Sequence, residues 1–340
     1  MPIKMHAKNS GPISVNNPLA VIISDVHFNL HTLPLASASL QAAINTANKL
    51  QIPLIVAGDL NDTKAIIRAE VANALLDLFT QLKTKAYILV GNHDLINEKE
   101  KAHGLNYLAS DNVIIIDKVT VLQHFSLIPY QSTNQDFINA LSYIPSQSLV
   151  IAHQGFQGAY MGEYIQDKSS VPIEAVKAYK VISGHYHRHQ TLGTVTYVGT
   201  PYTITFAEAN DGPKGYLILK ASGEFERVFL PLRKHVILER DYTDLIKPAL
   251  GINADDLLWL KVTGPYSELK RLSKDQIGKT FIGHSNFKLD LIALDEKPLQ
   301  LAESKKLTNT ELFDILIDNT PETDEQKSYL KELYREIITD

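Results

Sequence analysis

Cysteine is absent from the chain. Neither a disulfide framework nor a thiolate metal site can form, so any metal bound here must be held by oxygen and imidazole. Long hydrophobic runs are missing as well. No stretch offers the roughly 20 apolar residues that crossing a bilayer requires, and the opening MPIKMHAKNSGPISVNNP has no apolar core of signal-peptide length. A cytoplasmic protein with no membrane contact is the expectation. Basic charge is not in excess either: 33 Lys and Arg stand against 38 Asp and Glu, a formal charge of −5. That speaks against a surface coated for nucleic acid. A local groove stays open, because bound divalent ions would add positive charge where it is needed.

The 340 residues, 44% of them hydrophobic, suffice for two domains and a sizeable core. Residues 1–18 are polar and turn-rich and read as a hairpin or an arm. Residues 19–234 form the first domain. In it, LAVIIS (19–24), PLIVA (53–57), AYILV (86–90), NVIIID (112–117), SLVIA (148–152) and YKVIS (179–183) have the look of buried strands. After the first run, Leu40, Ala43, Ile44, Ala47 and Leu50 recur at three- and four-residue steps, as an amphipathic helix requires. KAIIRAEVANALLDLFTQL follows the second run in the same way. Apolar strands separated by helices predict a largely parallel sheet, buried on both faces. From Gly193 the texture changes to GTVTYVG, KGYLILK and FERVFLPL, which read as antiparallel strands. Residues 235–300 predict a second, smaller α/β domain. Residues 301–340 predict a helical tail, with a helix start at Thr320-Pro321 and an apolar stripe of Leu330, Leu333, Tyr334, Ile337 and Ile338.

The chemistry sits where the strands end. Asp25 and His27 follow the first run, and Asp59 and Asp62 (GDLND) the second. Asn92, His93 and Asp94 (GNHD) follow the third, His153 follows SLVIA, and His185 and His187 (GHYH) follow YKVIS. The carboxyl edge of an α/β sheet is where sites are assembled. In SGHYHRHQ the histidines 185, 187 and 189 alternate, so an extended chain would put all three on one side. Asp25, His27, Asp59, Asn92, His153, His185 and His187 together could hold two metal ions. With Asp59 bridging, each ion would have four protein ligands. Mixed oxygen and imidazole ligation suits Mn, Fe or Zn better than Ca. The glycines before Asp59, Asn92 and His185 would let the chain turn sharply as it leaves the sheet.

The set DVH, GDLND, GNHD, a lone His after an apolar strand, and GHYH resembles the calcineurin-like metallophosphoesterase superfamily, with its motifs in order across residues 25–187. The resemblance implies a four-layer α/β/β/α sandwich and hydrolysis of a phosphodiester by a hydroxide bridging two ions. By resemblance, one ion would be held by Asp25, His27, Asp59 and His187, and the other by Asp59, Asn92, His153 and His185. His93 matches the catalytic histidine that protonates the leaving oxygen, and Asp94 the residue that orients it. The ions would be Mn²⁺ first, with Mg²⁺, Fe²⁺ or Zn²⁺ as alternatives.

Beyond the last ligand motif, Gly199-Thr200-Pro201, Phe206-Ala207-Glu208 and Lys214-Gly215 resemble a region of SbcD-type DNA repair nucleases. This implies DNA as substrate, residues 235–300 as a capping domain that guides it, and a tail that docks on an SMC-like ATPase of the SbcC type. It also implies a homodimer formed through helices at residues 64–83 or 97–110. His31, one helical turn after His27, joins Asp62, Arg188, His189 and Thr200 as a candidate substrate contact. Two other readings stay open: a stand-alone phosphodiesterase of small nucleotides, with residues 235–340 as a lid or dimerisation element, and a non-catalytic assembly module.

Overall fold

In the strand Pro18–Ile23, alternate side chains enter different cores. Val21 and Ile23 pack with Leu40 and Ile44 of the helix Leu33–Leu50 and with Leu75 of the helix Ala69–Thr80. Ala20 and Ile22 face the other way, onto Leu127, Ile151 and Ile182 of a second sheet. This division shows the architecture of the computed structural model: helices, a sheet, a second sheet, and helical turns on the far side. The structure describes residues 3–4, 17–97, 101–246, 252–279, 287–294, 317–318 and 323–339.

The first sheet has the strand order Phe225–Phe229, Gly215–Lys220, Pro18–Ile23, Leu54–Val56, Ala86–Leu89, Val113–Ile116. Its last four strands run parallel, and Gly215–Lys220 joins them antiparallel. The second sheet has the order Ile3–Lys4, Thr120–Val121, Ser126–Ile128, Leu149–His153, Lys180–Gly184, Val195–Tyr197, Gln190–Leu192. Its outer face packs Val150, Ala152 and Val181 against Phe137 and Leu141 of the helix Asn134–Leu141. The apolar runs of the inner strands are thus buried on both sides, as parallel strands between layers require.

Several expectations change. The single sheet predicted by the strand–helix texture is two sheets face to face, the sandwich that the family resemblance implied. The strands after Gly193 divide between them, and Val195–Tyr197 lies parallel to Lys180–Gly184. Ile3–Lys4 pairs parallel with Thr120–Val121; residues 5–16, where the hairpin or arm is expected, lie outside the described residues. Within 97–110 the described residues form no α-helix. They make the short antiparallel pair Leu95–Asn97 with Ala102–His103, then a 3-10 turn at Leu105–Leu108.

Beyond Arg233, His235–Asp241, Leu257–Gly264 and Phe287–Ala293 form a separate parallel sheet with its own core of Leu258, Leu260, Val262, Leu269, Ile277 and Phe287. In the tail, Asp324–Thr339 is helical. Leu330 and Tyr334 are half-buried, whereas Thr320-Pro321 and the side chains of Leu333, Ile337 and Ile338 lie outside the described residues. No helix among the described residues is long and apolar enough to cross a membrane.

Where the first sheet delivers its second loop, Gly58 has φ +91°, and a Cβ there would lie 2.1 Å from His153 Nδ1. Gly58→Ala is expected to destabilise the fold by about 3 kcal/mol, from left-handed backbone strain and overpacking together. The check is the urea midpoint of the purified variant, and an unchanged midpoint would contradict it.

Candidate metal centre

The loops that leave Pro18–Ile23 and Leu54–Val56, neighbouring strands of the first sheet, continue to hydrogen-bond one another past the last strand residue. Asp25 N donates to Gly58 O at 3.1 Å, His27 N to Asp59 O at 3.1 Å, and Phe28 N to Leu60 O at 2.8 Å. The backbone is strained as it turns. Asp25, His27, Asp59 and His185 all have positive φ, between 50° and 95°. Each such non-glycine conformation costs about 1–3 kcal/mol and persists only where the surroundings fix it. Four of the seven such residues among the described ones therefore lie in this cluster. The reading that all three motif glycines supply a turn holds only for Gly58. Gly91 and Gly184 have ordinary φ and are required by close approach, since a Cβ would meet Asp59 Oδ1 at 2.2 Å and Ser24 Oγ at 2.0 Å.

Three overlapping groups of donor atoms result: Asp25, His27 and His187; His27, Asp59 and His93; Asp25, Asp59 and His153. Within each, the atoms lie within 4.8 Å of one another. Asn92 and His185 complete the set, because Asn92 Oδ1 is 3.0 Å from His153 Nε2 and 2.9 Å from His185 Nδ1. His27 Nε2 and His187 Nε2 face each other at 3.1 Å. Asp59 Oδ2 lies 3.3 Å from His153 Nε2, while Oδ1 accepts from His93 N at 2.9 Å.

The outer nitrogens of His153 and His187 are occupied elsewhere, which aims the inner ones. His153 Nδ1 meets Ala57 O at 2.8 Å, and His187 Nδ1 meets Glu208 Oε1 at 2.8 Å. His27 Nδ1 is 3.3 Å from Asp62 Oδ1. Fixing one ring nitrogen this way selects the tautomer that leaves the other for a metal. Buried carboxylates, a carboxamide oxygen and imidazoles converging lone pair to lone pair suit a divalent ion chemically.

Charge follows the same geometry. Burial opposes charge on Asp59, yet the facing His153, with His27 and His93, holds its carboxyl below the usual range. Burial likewise opposes the imidazolium of His153, but Asp59 outweighs it and lifts the ring to about 9. His185 is held down to about 4 by burial and by the neighbouring His153.

The other predicted residues divide. His93 Nδ1 meets the Asp62 carbonyl at 2.9 Å, so Asp94 does not orient the ring as the resemblance implied. Asp94 instead accepts Gly91 N and Asn61 N at 2.9 and 3.0 Å, joining two ligand-bearing loops from beneath, and burial with the nearby Asp59 pushes it up to about 7. The three alternate histidines do not share a face. The strand ends at Gly184, the chain bends, and His189 turns its Nδ1 to Val198 O at 3.3 Å beside Phe225. Arg188 lies over the Tyr160 ring, 5.4 Å from its centre. His31 is exposed in a turn rather than on a helix, and with Asn29, Asp62, Ile66 and Arg68 it lines an open groove of about 360 Å³. Thr200 is buried, its hydroxyl 3.3 Å from His187 O and 3.2 Å from Glu208 Oε2, so it braces the loop and does not face substrate.

Two contributors escaped the sequence reading. Tyr130 stacks on His185 with ring centres 6.0 Å apart; the signal was the short apolar strand of SLIPY. Glu208 was noticed only as part of a motif, and its hold on His187 depends on a loop folding back.

The chain belongs to the calcineurin-like phosphoesterases, whose family model matches residues 19–189. Among individual proteins it is similar to exonuclease subunit 1 of Enterobacteria phage T4, with 28% identity over 181 residues, 49% of this chain and 52% of the relative. The chain thus spans about half the length of that relative.

Because His153 is lifted to about 9, a metal must displace its proton at neutral pH. Mn²⁺ affinity is therefore expected to rise with pH from 6 towards 9, by up to about tenfold per pH unit. Calorimetric titrations across that range provide the check, and a flat profile would contradict it.

Proposed function

We propose that the protein is a metal-dependent phosphodiesterase acting on DNA, a nuclease subunit that works with an ATPase partner. The observation that carries the phosphodiesterase reading is the convergence of Asp25, His27, Asp59, Asn92, His153, His185 and His187. Asp25, His27, Asp59 and His187 would hold one divalent ion, Mn²⁺ in the first instance, and Asp59, Asn92, His153 and His185 a second. When bound, such a pair neutralises the phosphate and lowers the pKa of a shared water enough to make it a nucleophile at neutral pH.

The chain's own residues do the rest. His93, held through Nδ1 by the Asp62 carbonyl, keeps Nε2 for the substrate and delivers a proton to the leaving oxygen. Asp94 fixes the loop from which His93 projects. Asp62 braces His27 rather than contacting phosphate. The groove containing Asn29, His31 and Arg68 gives the scissile strand a way in, and its volume falls in the range of ligand sites.

DNA as substrate is supported by the name of the phage relative, an exonuclease subunit. It is also supported by the small domain, where Lys261 and Lys288 stand over the Trp259 ring at 5.1 and 3.4 Å. Residues 235–300 guide the duplex in this reading, and residues 301–340 dock on the ATPase. A second copy packs along residues 64–83, where Ile66 and Leu76 are exposed.

The test offers purified protein and Mn²⁺ either end-labelled linear duplex DNA or bis-p-nitrophenyl phosphate. Both are expected to be cut, EDTA to abolish cutting, and His93→Ala to lower kcat by about 10²- to 10⁴-fold. Hydrolysis of the small diester alone would support the stand-alone phosphodiesterase, and inactivity towards both with metal bound would support an assembly role.

A further inference from the structure

The 3-10 turn Phe206–Glu208 touches two domains with residues only two apart. At one end, Glu208 is buried and every oxygen has a partner. Oε1 meets His187 Nδ1 at 2.8 Å, and Oε2 accepts from Ile204 N at 3.0 Å and Thr200 Oγ1 at 3.2 Å and lies 3.3 Å from Lys214 Nζ. The same stretch grips the His187 backbone, whose carbonyl accepts from Thr200 N at 3.0 Å and from Lys214 Nζ at 2.9 Å. Gly199 makes that approach possible: its φ is +78°, and a Cβ would meet His187 O and His189 N at 2.8 Å.

At the other end, Phe206 reaches into the small domain. Its ring stands edge-on to His235 and to Trp259, with centres 4.8 and 5.6 Å apart. His235 opens the first strand of that domain and Trp259 lies in its central strand. Thr203 reinforces the junction, its Oγ1 2.9 Å from His235 N and 3.0 Å from His235 Nδ1. A shift of the small domain would therefore pull on Phe206, and through this one turn on the carboxylate that aims His187.

We propose that Phe206 is a positioning residue through which the 235–293 domain sets the orientation of His187, acting by way of Glu208. This deepens the reading above and rests on the metal-holding role of His187. Whatever moves the small domain, a bound duplex or a partner, thereby changes how well one ion is held.

The test reads metal binding and not turnover. Mn²⁺ titrations followed by the EPR signal of the free ion are made on full-length protein, with thermal melts confirming folding. Glu208→Gln is expected to weaken binding of one ion by about 10- to 100-fold, the usual effect of removing the partner of a metal-binding histidine. Phe206→Ala and Trp259→Ala, made on opposite sides of the junction, are each expected to weaken the same ion by about tenfold. Phe206→Tyr is expected to restore it, and the double variant Phe206→Ala/Trp259→Ala to be no worse than Phe206→Ala alone, because Trp259 acts through the Phe206 ring. Wild-type affinity in folded Phe206→Ala and Trp259→Ala would overturn the proposal, even with Glu208→Gln impaired. The expected pattern in a protein that cuts no diester would uphold this link and overturn the proposed function. A wild-type protein that binds no Mn²⁺ would overturn both.

Discussion

Asp59 is the constraint on which the rest of the structure depends. Its carboxylate is buried between the two sheets, 3.3 Å from one imidazole and 3.9 Å from another, and one oxygen also receives a backbone N–H. A buried carboxylate is tolerated only where positive or polar partners surround it. The fold supplies them by ending several strands at one edge and turning each chain sharply. The positive φ values of Asp25, His27, Asp59 and His185 are the local cost. The extensive apolar packing on both faces of each sheet keeps that strained edge from relaxing.

Around this inner set lies an outer one that fixes directions. A carbonyl at Ala57, the carboxylate of Glu208 and the carbonyl of Asp62 each take the far nitrogen of one histidine ring, and the Asp62 carboxylate stands 3.3 Å from that of His27. Asp94 performs the equivalent task for backbone, joining the loops of Asn61 and Gly91. Lys214, itself buried, balances the charge of Glu208 and Asp211 while gripping His187. Most polar groups near the centre thus determine where a lone pair points.

Much of this was legible in the sequence, for a physical reason. The ligand types occur at the ends of apolar runs, and a run of Val and Ile signals a strand whatever its partner. The division into two sheets was not legible from the runs, because PLIVA and SLVIA look alike although one belongs to each sheet. SGHYHRHQ misled for a different reason. Alternation implies a common face only in extended chain, and His185 with φ 95° ends that regime, which sends His189 to Phe225. The run 97–110 is a helix candidate only by resemblance, and hairpin and 3-10 geometry prevail there among the described residues. The partners Glu208 and Tyr130 stayed hidden since their roles depend on contacts across long stretches of chain.

That last property has a bearing on how the molecule reaches its native state. His27 and His187 meet across 160 residues, as do Asp25 and His185, and the intervening strands are mostly parallel. Such pairings are slow to form, because long loops must close before any contact rewards them. The centre can be complete only after both sheets have docked. An ion that binds the finished cluster and not the open chain would stabilise the native state by mass action. Metal supply would then govern the lifetime of the folded protein as well as its chemistry.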